Sequence, residues 1–154
     1  MQFLKTFLKY TLGILFSCLF LVNFAQAATF TVTKSTDTND GTCDSTDCSL
    51  REAIVAANAT TAEDTIVFDA ATNGSAICLS ITGTDENAAA TGDLNIRNPL
   101  TITGNGANQT IIDGGNTLAD GASTTCASSL GDRIFWIRPD VSGNVTLDGL
   151  TIKN

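Results

Sequence analysis

Histidine is absent from this sequence of 154 residues. That absence excludes a Ser/His/Asp or Cys/His catalytic group and any His-ligated metal site. Proline occurs twice, and methionine, tryptophan and tyrosine once each. Positive charge is also scarce: 8 Lys and Arg stand against 16 Asp and Glu, a net of −8. A chain of that sign does not hold nucleic acid through its phosphates. The longest apolar run, residues 12–22, falls short of the ~20 residues that a membrane-spanning helix needs. Abundance lies elsewhere, in Thr, Asp, Gly and Asn, which favour strands and turns over helices.

The start of the chain is organised for export. Lys5 and Lys9 precede or adjoin the apolar run, and Ala25-Gln26-Ala27 has the small-x-small form of a cleavage site. Residues 1–27 are therefore expected to be a secretory signal peptide, cut after Ala27. Cys18, inside the apolar run, belongs to that signal. The remaining 127 residues make one domain at most and keep all 16 acidic but only 6 basic residues, a net of −10. They are not expected to span a membrane. They also hold Cys43, Cys48, Cys78 and Cys126, an even set in a compartment where oxidation is permitted. Of the three possible pairings, Cys43–Cys48 with Cys78–Cys126 is favoured, because the first two lie close together in a turn-rich loop.

Residues 28–64 are read as an N-terminal cap. Thr29-Phe30-Thr31-Val32-Thr33 alternates like a strand with one buried face. Asp37 to Asp47 contains four Asp with Asn39 and Gly41, which reads as a solvated surface turn. Asp37, Asn39 and Asp40 approach the start of a calcium loop, but Gly41 comes one place early and no Glu closes the ring, so Ca²⁺ is the weaker reading. No other cofactor is expected. A short, one-sided helix follows. Ser49 and Glu52 form a capping-box pattern, and Leu50, Ala53, Ile54 and Ala57 recur at helical spacing until Asn58. Arg51 reads as a surface or loop-pinning cation rather than a catalytic group.

From residue 65 to 154 the pattern is apolar-polar-apolar triplets, each followed by a turn. Ile66 and Phe68, Ile77 to Ile81, Leu94 and Ile96, Leu100 and Ile102, Val145 and Leu147, and Leu150 and Ile152 each place alternate side chains on one face. Triplets starting at 94 and 100, or at 145 and 150, are too close for hairpins of ordinary strands and suit a chain that bends sharply and runs on. The expected fold class is all-β: a parallel β-helix, or solenoid, with a short capping helix. An antiparallel β-sandwich gives similar alternation and is the alternative. Residues 116–131, with few apolar side chains, read as a loop inserted between coils.

The string Cys48-Ser49-Leu50-Arg51-Glu52-Ala53-Ile54 resembles the CSLREA domain, found at the start of exported bacterial proteins that continue as right-handed parallel β-helices of the pectin-lyase-like type. The TFTVT opening, the DGTCD loop and the strand at Thr65 to Phe68 extend the similarity. The resemblance implies a secreted or cell-surface bacterial protein with further coils beyond Asn154. The expected function is a non-catalytic cap and scaffold module whose partners are polysaccharides or other cell-surface ligands, without nucleic acid. The alternative is the first part of a carbohydrate-active enzyme whose catalytic coils follow residue 154. Asp113, Asp132, Asp148, Arg133 and Arg138 are the acidic and basic groups such chemistry could draw on. Asp113-Gly114 and Asp148-Gly149 are also ordinary turn dipeptides, and no catalytic residue is assigned.

Overall fold

The structure, a computed structural model, describes residues 26–84, 86–115, 126, 130 and 133–153. Its strands are β1 (Thr29–Val32), β2 (Asp64–Phe68), β3 (Ala76–Cys78), β4 (Leu94–Ile96), β5 (Leu100–Thr103), β6 (Ile111–Asp113), β7 (Phe135–Ile137), β8 (Val145–Asp148) and β9 (Thr151–Lys153). One α-helix, α1 (Leu50–Ala57), lies between β1 and β2. The strands form three sheets, ordered β1-β2-β5-β8, β3-β6-β9 and β4-β7. Every pairing between these strands is parallel. An antiparallel sandwich has no such pairings.

The chain visits the sheets in a fixed rota. β2, β3 and β4 enter the first, second and third sheets; β5, β6 and β7 repeat the circuit; β8 and β9 begin another. The earliest circuit is different. It supplies β1 to the first sheet, a single bridge from Thr36 to Cys78 beside the second, and α1 instead of a strand for the third. The close triplets read at 94 and 100 fall in β4 and β5, and those read at 145 and 150 meet β8 and β9, the last strand beginning at Thr151; each pair belongs to different sheets, as the spacing requires.

Register turns the alternation into ladders. Phe30, Ile66, Ile102 and Leu147 are stacked partners on one face of the first sheet. Ile77, Ile112 and Ile152 stack in the second, and Leu94 with Phe135 in the third. Val32, Ile66, Ile102, Ile112, Leu94 and Ile96 are fully buried in one continuous core. The other face of the first sheet carries Thr29, Thr65, Thr101 and Thr146 in register. Two glycines let adjacent bends touch: a Cβ on Gly104 would lie 2.3 Å from the carbonyl oxygen of Gly149.

Both disulfides favoured from the sequence are present, Cys43–Cys48 and Cys78–Cys126. The second ties β3 to the inserted segment across a sequence separation of 48, a closure worth about 4 kcal/mol in the chain-entropy model. Most of residues 116–131 lie outside the described residues; Cys126 and Leu130 are both buried. β7, with Phe135 and Trp136, was not anticipated, since its aromatic pair breaks the aliphatic triplet pattern. Ile81 falls outside the strand read at 77–81, which ends at Cys78.

Candidate functional site

Chemically dense side chains converge where the acidic loop meets α1. The helix starts as its sequence requires. Ser49 accepts a hydrogen bond from the Glu52 amide at 3.1 Å, and Glu52 Oε2 accepts from the Ser49 amide at 2.7 Å. This reciprocal box satisfies two amides that an uncapped helix would leave unpaired. Glu52 also reaches outward, its Oε1 accepting from the Thr38 hydroxyl at 2.8 Å and the Asp40 amide at 3.1 Å. Lys34 Nζ lies 3.4 Å from Oε2 and also pairs with Asp47. Burial opposes the charged form of Glu52, but the amides of Ser49 and Asp40 and the Thr38 hydroxyl outweigh it and hold its carboxyl below the ordinary value.

Arg51 is not a surface residue. Its side chain is 0% exposed, as is that of Asp37. Arg51 Nε and Nη2 donate to the two oxygens of Asp37 at 2.7 and 3.0 Å. Nη1 donates to Ala89 O and Nη2 to Gly92 O, both at 3.0 Å. Asp37 Oδ2 further accepts the amides of Ser80 and Ile81 at 2.8 and 2.9 Å. The pair thus joins the acidic loop, the helix, the end of the β3 segment and the approach to β4. Loop pinning is the half of the expectation for Arg51 that the geometry carries. Gly92 suits this place: its φ is +63°, and a Cβ there would lie 2.5 Å from Gly83 O.

Two features of residues 28–64 differ from the sequence expectation. The helix is not one-sided: alongside Leu50, Ala53, Ile54 and Ala57, both Arg51 and Glu52 are buried, because residues 37–40 and 89–92 fold over its polar side. The acidic segment, in turn, is not wholly a solvated turn, since Asp37 is drawn inside by Arg51. Asp37, Asn39 and Asp40 do not gather around one point. Asn39 donates to Ala90 O at 3.1 Å, and Asp40 Oδ1 accepts the Thr42 amide at 3.0 Å.

Asn58 does more than end the helix. Its Nδ2 donates to Asn95 O at 2.7 Å, and its Oδ1 accepts the Arg97 amide at 2.8 Å. A single side-chain amide therefore pairs with a donor and an acceptor of the β4 segment, as a neighbouring strand would. Only the ability of Asn to donate and accept at once hinted at this in the sequence.

The groups considered for acid–base chemistry do not form one cluster. Asp113, on β6, is buried with Lys153 Nζ at 3.0 Å and the Gly115 amide at 2.8 Å. Asp148 is exposed on β8, in another sheet. Arg138 pairs with Asp140 at 2.7 Å. Arg133 pairs with Asp93 at 2.6 Å and lies 5.6 Å from the centre of the Trp136 ring. Asp132 lies outside the described residues. Among the described residues, no three Cys, Asp or Glu side chains converge as metal ligands.

A groove of about 290 Å³ runs beside β1, lined by Thr29, Phe30, Thr31, Thr33, Asp44, Asp69 and their neighbours. No family model matches the chain, and neither a curated protein nor a solved structure matches it.

Asp37→Ala leaves a buried guanidinium uncompensated, and urea unfolding should show a loss of about 3–5 kcal/mol. The double variant Asp37→Leu/Arg51→Met should recover only part of that loss, because the Ala89 and Gly92 carbonyls and the Ser80 and Ile81 amides lose their partners. Glu52→Gln should cost about 1–3 kcal/mol near neutral pH. Because the folded carboxyl titrates below its unfolded value of about 4.3, its contribution is present above that value and lost as pH falls through the folded one. The gap between wild type and Glu52→Gln should therefore close on acidification.

Proposed function

We propose that this chain is the N-terminal cap and first coils of an exported bacterial parallel β-helix protein of the CSLREA type. It serves as a non-catalytic scaffold whose outer face meets glycans or other polymeric surfaces. The observation that carries this reading is the substitution of α1 and Asn58 for a strand. A stack of parallel strands leaves unpaired edges and open apolar side chains at its first rung. Here α1 lies against β1, β2 and β4. Its Leu50, Ala53 and Ile54 join the core, while Asn58 takes up the edge groups near β4. The two disulfides fit an oxidising, extracellular setting. No helix among the described residues is long and apolar enough to cross a membrane.

Register supports the outer face of the first sheet as the contact surface. Thr29, Thr65, Thr101 and Thr146 repeat at the strand spacing of about 4.7–4.9 Å, giving a row of hydroxyls across the first sheet. Beside it run Thr31, Val67, Thr103 and Asp148. Such a row suits a polymer that offers hydroxyl or carboxyl groups repeatedly along its length.

Ile54→Asp should uncover the first rung. The expected result is a lower melting temperature with oligomers in size-exclusion chromatography, whereas unchanged melting and a monomeric profile would sink the capping role. Binding is tested separately by sedimentation with insoluble polysaccharides. Thr65→Glu/Thr101→Glu should weaken retention at least about tenfold, or 1.4 kcal/mol; equal retention of both proteins removes this face as the contact.

A further inference from the structure

Asp64 is the first residue of β2 and is 0% exposed. None of the ion pairs among the described residues involves it: Lys34, Arg51 and Arg138 pair with other carboxylates. A carboxylate that deep and without a cation is costly to keep charged. Its two oxygens are nevertheless directed. Oδ2 accepts the Thr60 hydroxyl at 2.6 Å, and Oδ1 accepts from the backbone nitrogen of Ala28 at 2.7 Å. Ala28 is also held from its other side, since its carbonyl accepts the Thr65 amide at 2.9 Å. Ala27, immediately before it, is exposed.

Ala27–Ala28 is the bond at which the export reading places cleavage. We propose that Asp64 is the receptor for the new amino terminus, so that removal of residues 1–27 completes a buried ion pair between the Ala28 ammonium and the Asp64 carboxylate. The inference rests on that export reading. The chemistry is hydrolysis by a signal-processing peptidase. The C–N bond breaks, water supplies the hydroxyl to the Ala27 carbonyl carbon, and the Ala28 nitrogen leaves as an amine that takes up a proton. The nitrogen does not have to travel, because it already stands at hydrogen-bond distance from Oδ1. A neutral amide donor becomes a charged one at the same place, and the hydrogen bond becomes charge-assisted.

The arrangement gives processing a structural consequence. Asp64 adjoins the joint between β2 and β5, its own amide donating to Pro99 O at 3.3 Å, and Thr60 lies just beyond α1. The new terminus would thus fasten the entry of β1 to the segment that leaves the cap. Before cleavage the same site holds an uncompensated carboxylate, so the precursor's cap is the weaker of the two forms.

The experiment starts with the chain exported from a bacterial host under its own first 27 residues, its N-terminus read by mass spectrometry. An N-terminus other than Ala28 overturns both the cleavage position and the proposal. If the chain begins at Ala28, its melting temperature is compared with that of a chain beginning at Gln26, each also made with Asp64→Asn. The expected result is that the Ala28 form melts at least about 4 °C higher, and that Asp64→Asn abolishes the difference. Equal melting of the two forms, or a difference that survives Asp64→Asn, overturns the proposal and leaves the export reading standing. As a measurement independent of Asp64 variants, amine acylation at neutral pH should be slower at Ala28 in the folded chain than in urea by about tenfold or more, the effect of one pKa unit on the free-amine fraction. Equal rates overturn the proposal as well.

Discussion

The surroundings of α1 depend on one buried ion pair. Arg51 and Asp37 are both withdrawn from water, and a pair of charges in that position is not a gain by itself, because desolvation consumes most of the attraction. What makes it tolerable is the density of hydrogen bonds around it. The guanidinium reaches Asp37, Ala89 O and Gly92 O, and Asp37 also collects the amides of Ser80 and Ile81. Such a pair acts more through placement than through net stability. Lysine could not substitute, since a single ammonium cannot present a planar fork to a carboxylate and two carbonyls in different directions. The acidic loop, the helix and the approach to β4 are therefore fixed relative to one another by geometry that one side chain imposes.

That fixation explains why a helix can stand where the third sheet would have a strand. A strand would satisfy the edge of β4 with a regular row of backbone groups. A helix offers no such row, as its amides and carbonyls point along its axis and are free only at its ends. The substitution works because α1 contributes apolar side chains to the core from Leu50, Ala53 and Ile54, while polar pairing is delegated to Asn58 at its end. Glu52 and Lys34 close the opposite side by holding Thr38, Asp40 and Asp47 against the helix start. The first circuit thus divides the labour between apolar side chains and a side-chain amide, with the Arg51–Asp37 pair keeping both in register.

Much of this was legible in the sequence, and the remainder was illegible for physical reasons. The helix, its capping box and Cys43–Cys48 could be read because each is a local pattern, and Cys78–Cys126 followed because those two cysteines were left for each other. The triplets gave the inward faces of β2, β4, β5 and β8, since alternation has a period of two wherever a strand buries one side. β7 escaped because Phe135-Trp136-Ile137 has no polar residue between its large ones. Asp37 and Arg51 were read as solvated or surface groups because burial of a charge depends on its partner, and the partners of Arg51 at Ala89 and Gly92 are distant in sequence. Asn58 and Asp64 belong to the same class: their side chains meet residues 95–97 and Ala28, contacts that no local pattern encodes.

The far rungs show how the stack's burial is shared. Ile96 and Ile112 are fully buried, whereas their register partners Ile137 and Ile152 are 46% and 45% exposed. The residue types are identical, but Ile112 has paired strands on both sides, β3 and β9, and Ile96 has β7 on one side and α1 on the other. In a one-dimensional stack, stability is a sum of such neighbour terms, and each rung gains its full apolar burial only when both sides are covered. At the first circuit that cover is supplied by a helix, a disulfide-tied loop and an amide side chain, devices that cannot propagate the ladder. The first circuit is therefore chemically unlike the parallel strands that follow it.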